Sequence, residues 1–578
     1  MRVISDSAPR RGVYSRRAVL IGVACALLLA GCTASQLKRN HGPAVMQDGK
    51  GPPEAELLYE LLVGEIAGQR GAMDLSAENY LRAARHSEDP RIAERAARIA
   101  VYAGDKERAL QAALRWMELA PEESEARQVT AIMYLRNGRV KEAIPLLEQV
   151  RRNHADQPQK GFMFIAQLLG RERDRQPALQ AMAGLAEKHP GDPDAMFAHA
   201  HLALAAEQYA IAHQLLDRVL AQRPGWGDAY ALRAAVYQRQ GDVEEALAAY
   251  REAIRLDPEN LQTALSYARL LVQESRFAEA RKEFKRLERM SPDDPDVLFA
   301  LGLLAIQGEQ LPEAHDYFMN LVEHGQRVAD ASFFLGRIAE MRQDDSTAMR
   351  WYHKVNGGGY HYDARLRIAI LTAREGDTDG ARQLLEELLQ DNPAQEVRTI
   401  LVEADILRLA ERHGEAFDLL GRALRRYPDN PELLYAQAMA AERLDRLDMV
   451  ERNLRKMLQA DPNNAQALNA LGFTLADRTD RYDEAYRYIG RALELEPEDA
   501  AIQDSMGWVL YRMGRHEEAI RYLRKALDNE WDAEIAAHLV EVLWVSGKRA
   551  EARKLWEEAS RKAPDDPGLR DVGQRYLQ

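Results

Sequence analysis

Small apolar residues recur along this chain at a fixed interval. Ala212, Ala246, Ala280, Ala314 and Ala348 each stand 34 residues after the last. An aromatic residue follows four positions after most of them, at Tyr250, Phe284, Phe318 and Tyr352. A proline comes twelve positions after several members of the series, at Pro190, Pro224, Pro258 and Pro292. The register extends back through Ala178, Ala143 and Ala109, and forward through Ala381, Ala416, Ala485, Ala519 and Ala552. Val450 takes the small position once, and Ala77 opens a weaker first copy. A period of this length marks a stacked array of one supersecondary unit, not a single globular core.

Residues 227–260 predict what that unit is. Tyr230, Ala234 and Tyr237 share one face of a first helix, because residues three and four apart are neighbours on a helix surface. Gly241 supplies a left-handed turn. Asp242 is expected to cap a second helix, with Glu245 as its reciprocal partner. Ala246, Tyr250 and Ala253 form the buried stripe of that second helix, and Pro258 ends it. Gly104-Asp105 and Gly376-Asp377 repeat the turn chemistry. The unit resembles the tetratricopeptide repeat. That resemblance implies an all-α right-handed superhelical solenoid of about 15 helical hairpins.

The punctuation lapses once. Between Glu323 and Arg365 no proline occurs, and Asn356-Gly357-Gly358-Gly359 follows Trp351. Three glycines loosen the backbone, so the stretch reads either as a roomy loop between repeats or as a hinge between two halves of the array.

The N-terminus carries a different pattern. Arg16 and Arg17 precede an apolar run, Ala18 to Leu28, which is shorter than the roughly 20 residues a membrane-spanning helix needs. This reads as a secretory signal. Leu29-Ala30-Gly31-Cys32 resembles the lipobox of bacterial lipoproteins, which implies cleavage before Cys32 and acylation of its thiol. Family sorting rules hold lipoproteins with aspartate after the cysteine at the inner membrane. Thr33 occupies that place here, so the periplasmic face of the outer membrane is expected. Gly42, Pro43, Gly49, Gly51, Pro52 and Pro53 then mark a polar tether, with a root-mean-square reach of roughly 25 Å. The expected organisation is a signal peptide (1–31), a flexible tether after the lipidated cysteine (32–53) and a solenoid (54–578). Within the solenoid come atypical capping helices (54–104), a first repeat block (105–355), the glycine-rich loop (356–359) and a second block (360–578).

Composition narrows the chemistry. The two cysteines are Cys25, inside the signal, and Cys32, so the rest of the chain has neither a disulfide nor a thiol-based metal site. The formal charge of −13 includes five arginines against Asp6 in residues 1–31, leaving about −17 on the remainder. A surface so acidic is wrong for nucleic acid, whose phosphates need a basic partner. His199 and His201 sit two apart, on different faces of a helix, which argues against a metal pair. His353 and His361 flank the glycines as surface-loop residues, and Gly357-Gly358-Gly359 lacks the lysine of a phosphate loop. No catalytic constellation is expected, and neither cofactor, metal nor small-molecule substrate.

A binding surface remains. First helices of tetratricopeptide units line a groove by family resemblance. The outward positions include Arg239, Arg269, Phe299, Phe333 and Arg337, with aromatics to anchor a peptide and arginines to orient it. Two segments carry a narrower likeness: Leu57 to Asp105, which includes LLYELLVGEIAGQRG, and Thr474 to Ile520, which includes AIQDSMGWVLYRMGRHEEAI. With the lipobox they resemble the large tetratricopeptide outer-membrane lipoproteins of proteobacteria that partner a C-terminal processing protease. The resemblance implies a non-enzymatic adaptor that binds the periplasmic protease and its protein substrates, such as peptidoglycan cross-link hydrolases. The alternative is a structural lipoprotein for pilus or outer-membrane protein assembly, with no protease partner.

Overall fold

A computed structural model describes residues 53–153 and 157–577. The expected signal peptide, lipobox and tether as far as Pro52 lie outside the described residues, and the first described helix begins at Pro53. Among the described residues there are helices and turns and no strand. Five helical hairpins, from Pro53–Gln69 with Met73–His86 to Pro193–Ala205 with Tyr209–Gln222, form one compact unit that ends at Arg223. Ten more, from Gly227–Gln240 with Val243–Leu256 to Ala533–Val545 with Arg549–Lys562, form a second, closed by Pro567–Val572 and a π-helical turn, Gly573–Leu577. The sequence places the glycine-rich loop at 356–359, between two repeat blocks. It lies inside the second unit, where helix Asp345–Tyr352 packs on helix His361–Arg374.

Within each unit the first helix of every later hairpin packs against the second helix of the hairpin before it. The 34-residue alanine series sits where the two helices of one hairpin meet: a Cβ on Gly472 or Gly507 of the first helix would lie 3.1 or 3.2 Å from the carbonyl of Ala485 or Ala519 on the second. Ala212, Ala246, Ala280, Ala314 and Ala348 are fully buried, as is Val450 where it substitutes. Only a small side chain lets the backbones approach this closely, and the aromatic four residues later fills the space beside it: Tyr250, Phe284, Phe318 and Tyr352 are all buried. Opposite the aromatic stands a glycine in two of these units. A Cβ on Gly302 would lie 2.6 Å from Phe318 Cζ, and one on Gly336 would lie 2.6 Å from Tyr352 Cε1.

Turn and cap chemistry follow the sequence with one correction. Gly241 adopts φ 88° and ends its helix in the left-handed region, as expected. Asp105 and Asp377 cap their helices by accepting from the amides of Arg108 and Gly380. The box expected of Asp242 and Glu245 is not formed: the Asp242 side chain makes no cap hydrogen bond. Its helix start is held by the backbone instead, the Ala246 amide donating to the Asp242 carbonyl at 3.0 Å. Pro224, Pro258 and Pro292 sit exposed just past the helices ending at Gln222, Leu256 and Met290. There the missing amide and fixed φ stop propagation without burying a ring.

Candidate protein-binding surface

The five residues expected along the groove separate into two groups. Arg239 and Arg269 are exposed on the first helices Gly227–Gln240 and Leu261–Gln273. Arg269 Nη2 lies 3.9 Å from Asp296 on the next first helix. Arg337 is half-buried, near enough to Tyr352 to act on it electrostatically. Phe299 and Phe333, expected as outward anchors, are instead 7% and 5% exposed. Their rings belong to the packing between hairpins, where they touch other aromatics from both sides.

Those contacts make a continuous ladder. Phe299 meets Phe318 and Phe334 edge-on, at 5.6 and 5.5 Å between centroids. Phe318 and Phe334 stack at 5.3 Å, Phe334 meets Phe333, and Phe333 stacks on Tyr360 at 4.7 Å. Offset and edge-on pairs of this kind add about 0.5–1.5 kcal/mol each beyond their burial. Beside the ladder, the buried Glu340 carboxylate accepts from Tyr352 Oη at 2.5 Å and from Arg367 Nε at 2.8 Å. Burial works against its charge, but Arg367 and Tyr352 outweigh that and hold its pKa below the usual carboxylate range. The segment without proline is thus bound by side chains, with Val355 buried before the glycines and Tyr360 stacked after them.

A second concentration of chemistry lies on three successive first helices, Ala465–Arg478, Ala500–Arg512 and Ala533–Val545, which pack in sequence. His538 Nδ1 faces both carboxylate oxygens of Asp504, at 2.9 and 3.0 Å. The Trp508 indole stacks on the imidazole at 4.3 Å and donates to Asp477 at 3.2 Å. Burial disfavours the charged ring, yet Asp504, Glu534 and Glu541 together raise its pKa. Glu541 in turn accepts from Tyr511, Arg575 and Tyr576. Sequence reasoning missed this pair, although His538 stands one repeat, 34 residues, after Asp504. Equivalent places in successive first helices are spatial neighbours, and that was the available signal.

His199 and His201 diverge as expected of i and i+2: His199 is buried and His201 exposed. Loss of solvent pushes His199 down to about 4, so it is neutral at ordinary pH. Among the described residues no cluster of His, Cys, Asp and Glu could hold a metal ion, and no helix is long and apolar enough to cross a membrane. The first unit has an open cavity of about 570 Å³, beside Tyr102, Lys106, Arg136 and Asp174.

Sequence models of the tetratricopeptide repeat match residues 94–158, 197–260, 237–305 and 299–360. They also match 363–394, 463–529 and 510–572. The chain is 37% identical over 528 residues to the TPR repeat-containing protein PA4667 of Pseudomonas aeruginosa, covering 89% of each. This chain belongs to the tetratricopeptide-repeat family. A shorter match, 30% identical over 154 residues, is to cellulose synthase operon protein C of Pseudomonas fluorescens, and covers 25% of this chain and 12% of that one. The crystal structure of PilW, a type IV pilus biogenesis factor, aligns with 37% of this chain and 99% of its own at 20% identity, with a TM-score of 0.32. As a tetratricopeptide protein the chain is a scaffold for protein–protein contacts, on a fold that is generally not catalytic.

Proposed function

We propose that the protein is a lipid-anchored scaffold on the periplasmic face of the outer membrane that binds a C-terminal processing protease and its protein substrates. On this reading it regulates cell-wall remodelling and performs no covalent chemistry itself. The observation that carries it is the row of first helices in the ten-hairpin unit. The first helices Gly227–Gln240, Leu261–Gln273 and Pro295–Gln307 are linked through Gln238 with Gln273 and Arg269 with Asp296, and they leave Arg239 and Arg269 exposed, so a long extended segment could be oriented by charges from several repeats. The lipobox at Leu29 to Cys32 and the segments Leu57 to Asp105 and Thr474 to Ile520 support the finer assignment. Tethering two partners to one platform turns their encounter into an intramolecular event and raises their effective concentration to the millimolar range.

The test has two arms. Cys32→Ser should move the protein from the outer-membrane to the soluble periplasmic fraction. Photo-crosslinkers at Arg239 and Arg269, read by mass spectrometry, should capture a serine protease of the C-terminal processing type and its substrates. Capture of pilus or outer-membrane assembly factors without any such protease would overturn the adaptor reading, and unchanged fractionation of Cys32→Ser would overturn the anchor.

A further inference from the structure

We infer that the open cavity of the five-hairpin unit is a docking site for an extended acidic segment of a partner protein. The cavity, about 570 Å³, gathers the ends of three successive first helices. Tyr102 lies in the last turn of Pro90–Ala103, Arg136 ends Ser124–Arg136, and Arg171 to Asp174 form the turn after Pro158–Gly170. The lining carries four cations and three carboxylates, and hydrogen bonding decides which charges are left over. Glu172 is spent on Arg136, which donates to it from Nε at 2.8 Å and from Nη2 at 2.9 Å. Asp105 is spent on Arg108, accepting from its amide and from Nη1, both at 2.9 Å. The side chains of Lys106, Arg171 and Arg173 are exposed and have neither hydrogen bond nor ion pair among the described residues. Of the lining acids only Asp174 opposes them, and one of its oxygens is held by the Gln176 amide as a helix cap.

Charge and lining together select the occupant. The unpaired cations come from two places, Lys106 on the second hairpin and Arg171 with Arg173 on the fourth, so the site answers to several negative charges spread along a segment. Guanidinium groups match carboxylates through two parallel hydrogen bonds. Val101 and Tyr102, 36% and 77% exposed, give the same cavity an apolar wall on which a side chain between the acids packs. A bare inorganic anion would leave that wall uncovered. The tether of this chain has the wrong sign, since residues 33–52 carry Lys38, Arg39 and Lys50 against Asp48. A nucleic acid would meet the chain's net charge of −13 wherever it ran beyond the cavity, and a flat anionic bilayer does not enter a concavity. This goes beyond the scaffold reading, which would survive its failure, because that reading rests on first helices of the other unit.

The experiment uses the full chain carrying Cys32→Ser and three short fluorescent peptides with blocked termini, in which leucines are interspersed with glutamate, glutamine or lysine. Anisotropy should show the glutamate peptide binding and the other two not. Its affinity should fall at least tenfold in Arg171→Glu/Arg173→Glu and several-fold in Arg173→Glu, Lys106→Glu and Tyr102→Ser. Arg218→Glu makes the same change of charge at an exposed place on helix Tyr209–Gln222, outside the cavity, and should leave the affinity unchanged. Arg171→Gln/Arg173→Gln, which removes charge and adds none, provides the same readout if the glutamate variants melt early. Equal losses in Arg173→Glu and Arg218→Glu would show a diffuse field and overturn the proposal. So would equal affinity for the glutamate and glutamine peptides, or a glutamine peptide that binds as tightly as the glutamate one once its C-terminal carboxylate is freed. A variant-sensitive association with phosphatidylglycerol vesicles, or a dimer seen by sedimentation that these substitutions abolish, would overturn it as well.

Discussion

Tyr360 stacks on Phe333 with centroids 4.7 Å apart and planes 9° from parallel. Gly357 and Gly358 adopt φ 148° and 81° between them. The three glycines therefore let the chain turn tightly enough to return an aromatic side chain onto the preceding hairpin. That contact locks the stretch and takes the place of the proline punctuation missing here. Replacing Tyr360 with alanine should cost about 3 kcal/mol locally, the order of an aromatic truncation in a core. Hydrogen exchange should then speed up in residues 356–374 and leave the first unit unchanged. Uniform protection in the variant would count against the locked loop.

Gly336 offers a test of helix approach. An added methyl meets Tyr352, and the ring cannot swing away because its hydroxyl is held by Glu340. Gly336→Ala should destabilise the surrounding hairpins by about 1–3 kcal/mol, as overpacking does. Gly414→Ala, with nothing within 4 Å of the new Cβ, should be neutral or stabilising by up to about 1 kcal/mol through helix propensity. Exchange protection read hairpin by hairpin checks both, since repeat arrays do not always melt as one cooperative unit.

Glu148 should make the first unit acid-sensitive. Arg151, His189 and Arg152 hold the buried carboxylate at about 2, against an ordinary value of 4.5. A depressed folded value means its stabilisation is complete above about 4.5 and is lost as pH falls toward 2. The linked free energy is on the order of 3 kcal/mol. Thermal melts between pH 5 and 2 should show a steeper loss for the native chain than for Glu148→Gln, which is already neutral. Parallel curves would refute the assignment.

His538 predicts the opposite slope. Its pKa is raised, because Asp504, Glu534 and Glu541 overcome burial. The stabilisation is thus present below the ordinary value of 6.5 and is lost as pH rises through the folded value. Asp504→Asn should reverse the direction of the shift, leaving burial to dominate. An imidazole resonance titrating above 6.5 in the native chain and below it in the variant would establish the pair. Identical titrations would show that Asp504 does not set the charge.

The residues by themselves determined the repeat, its period and the contact between the two helices of a hairpin. Alanine every 34 positions, an aromatic four later and a proline twelve later have one economical physical solution, a stack of helical hairpins, and the alanines are buried accordingly. The lipobox-like stretch Leu29 to Cys32 is a local motif, which sequence alone can display without any fold. Which side of a first helix faces outward was not legible. Phe333 and Phe334, like Leu298 and Phe299, put apolar residues on adjacent faces, because each first helix packs both on its own partner and on its neighbours. Only the packed structure decided that Phe299 and Phe333 are covered, that Leu62 and Ile66 are not, and that Asp504 meets His538 one repeat away. Local periodicity encodes that a face is apolar, whereas what covers it depends on side chains brought together from distant positions in the chain.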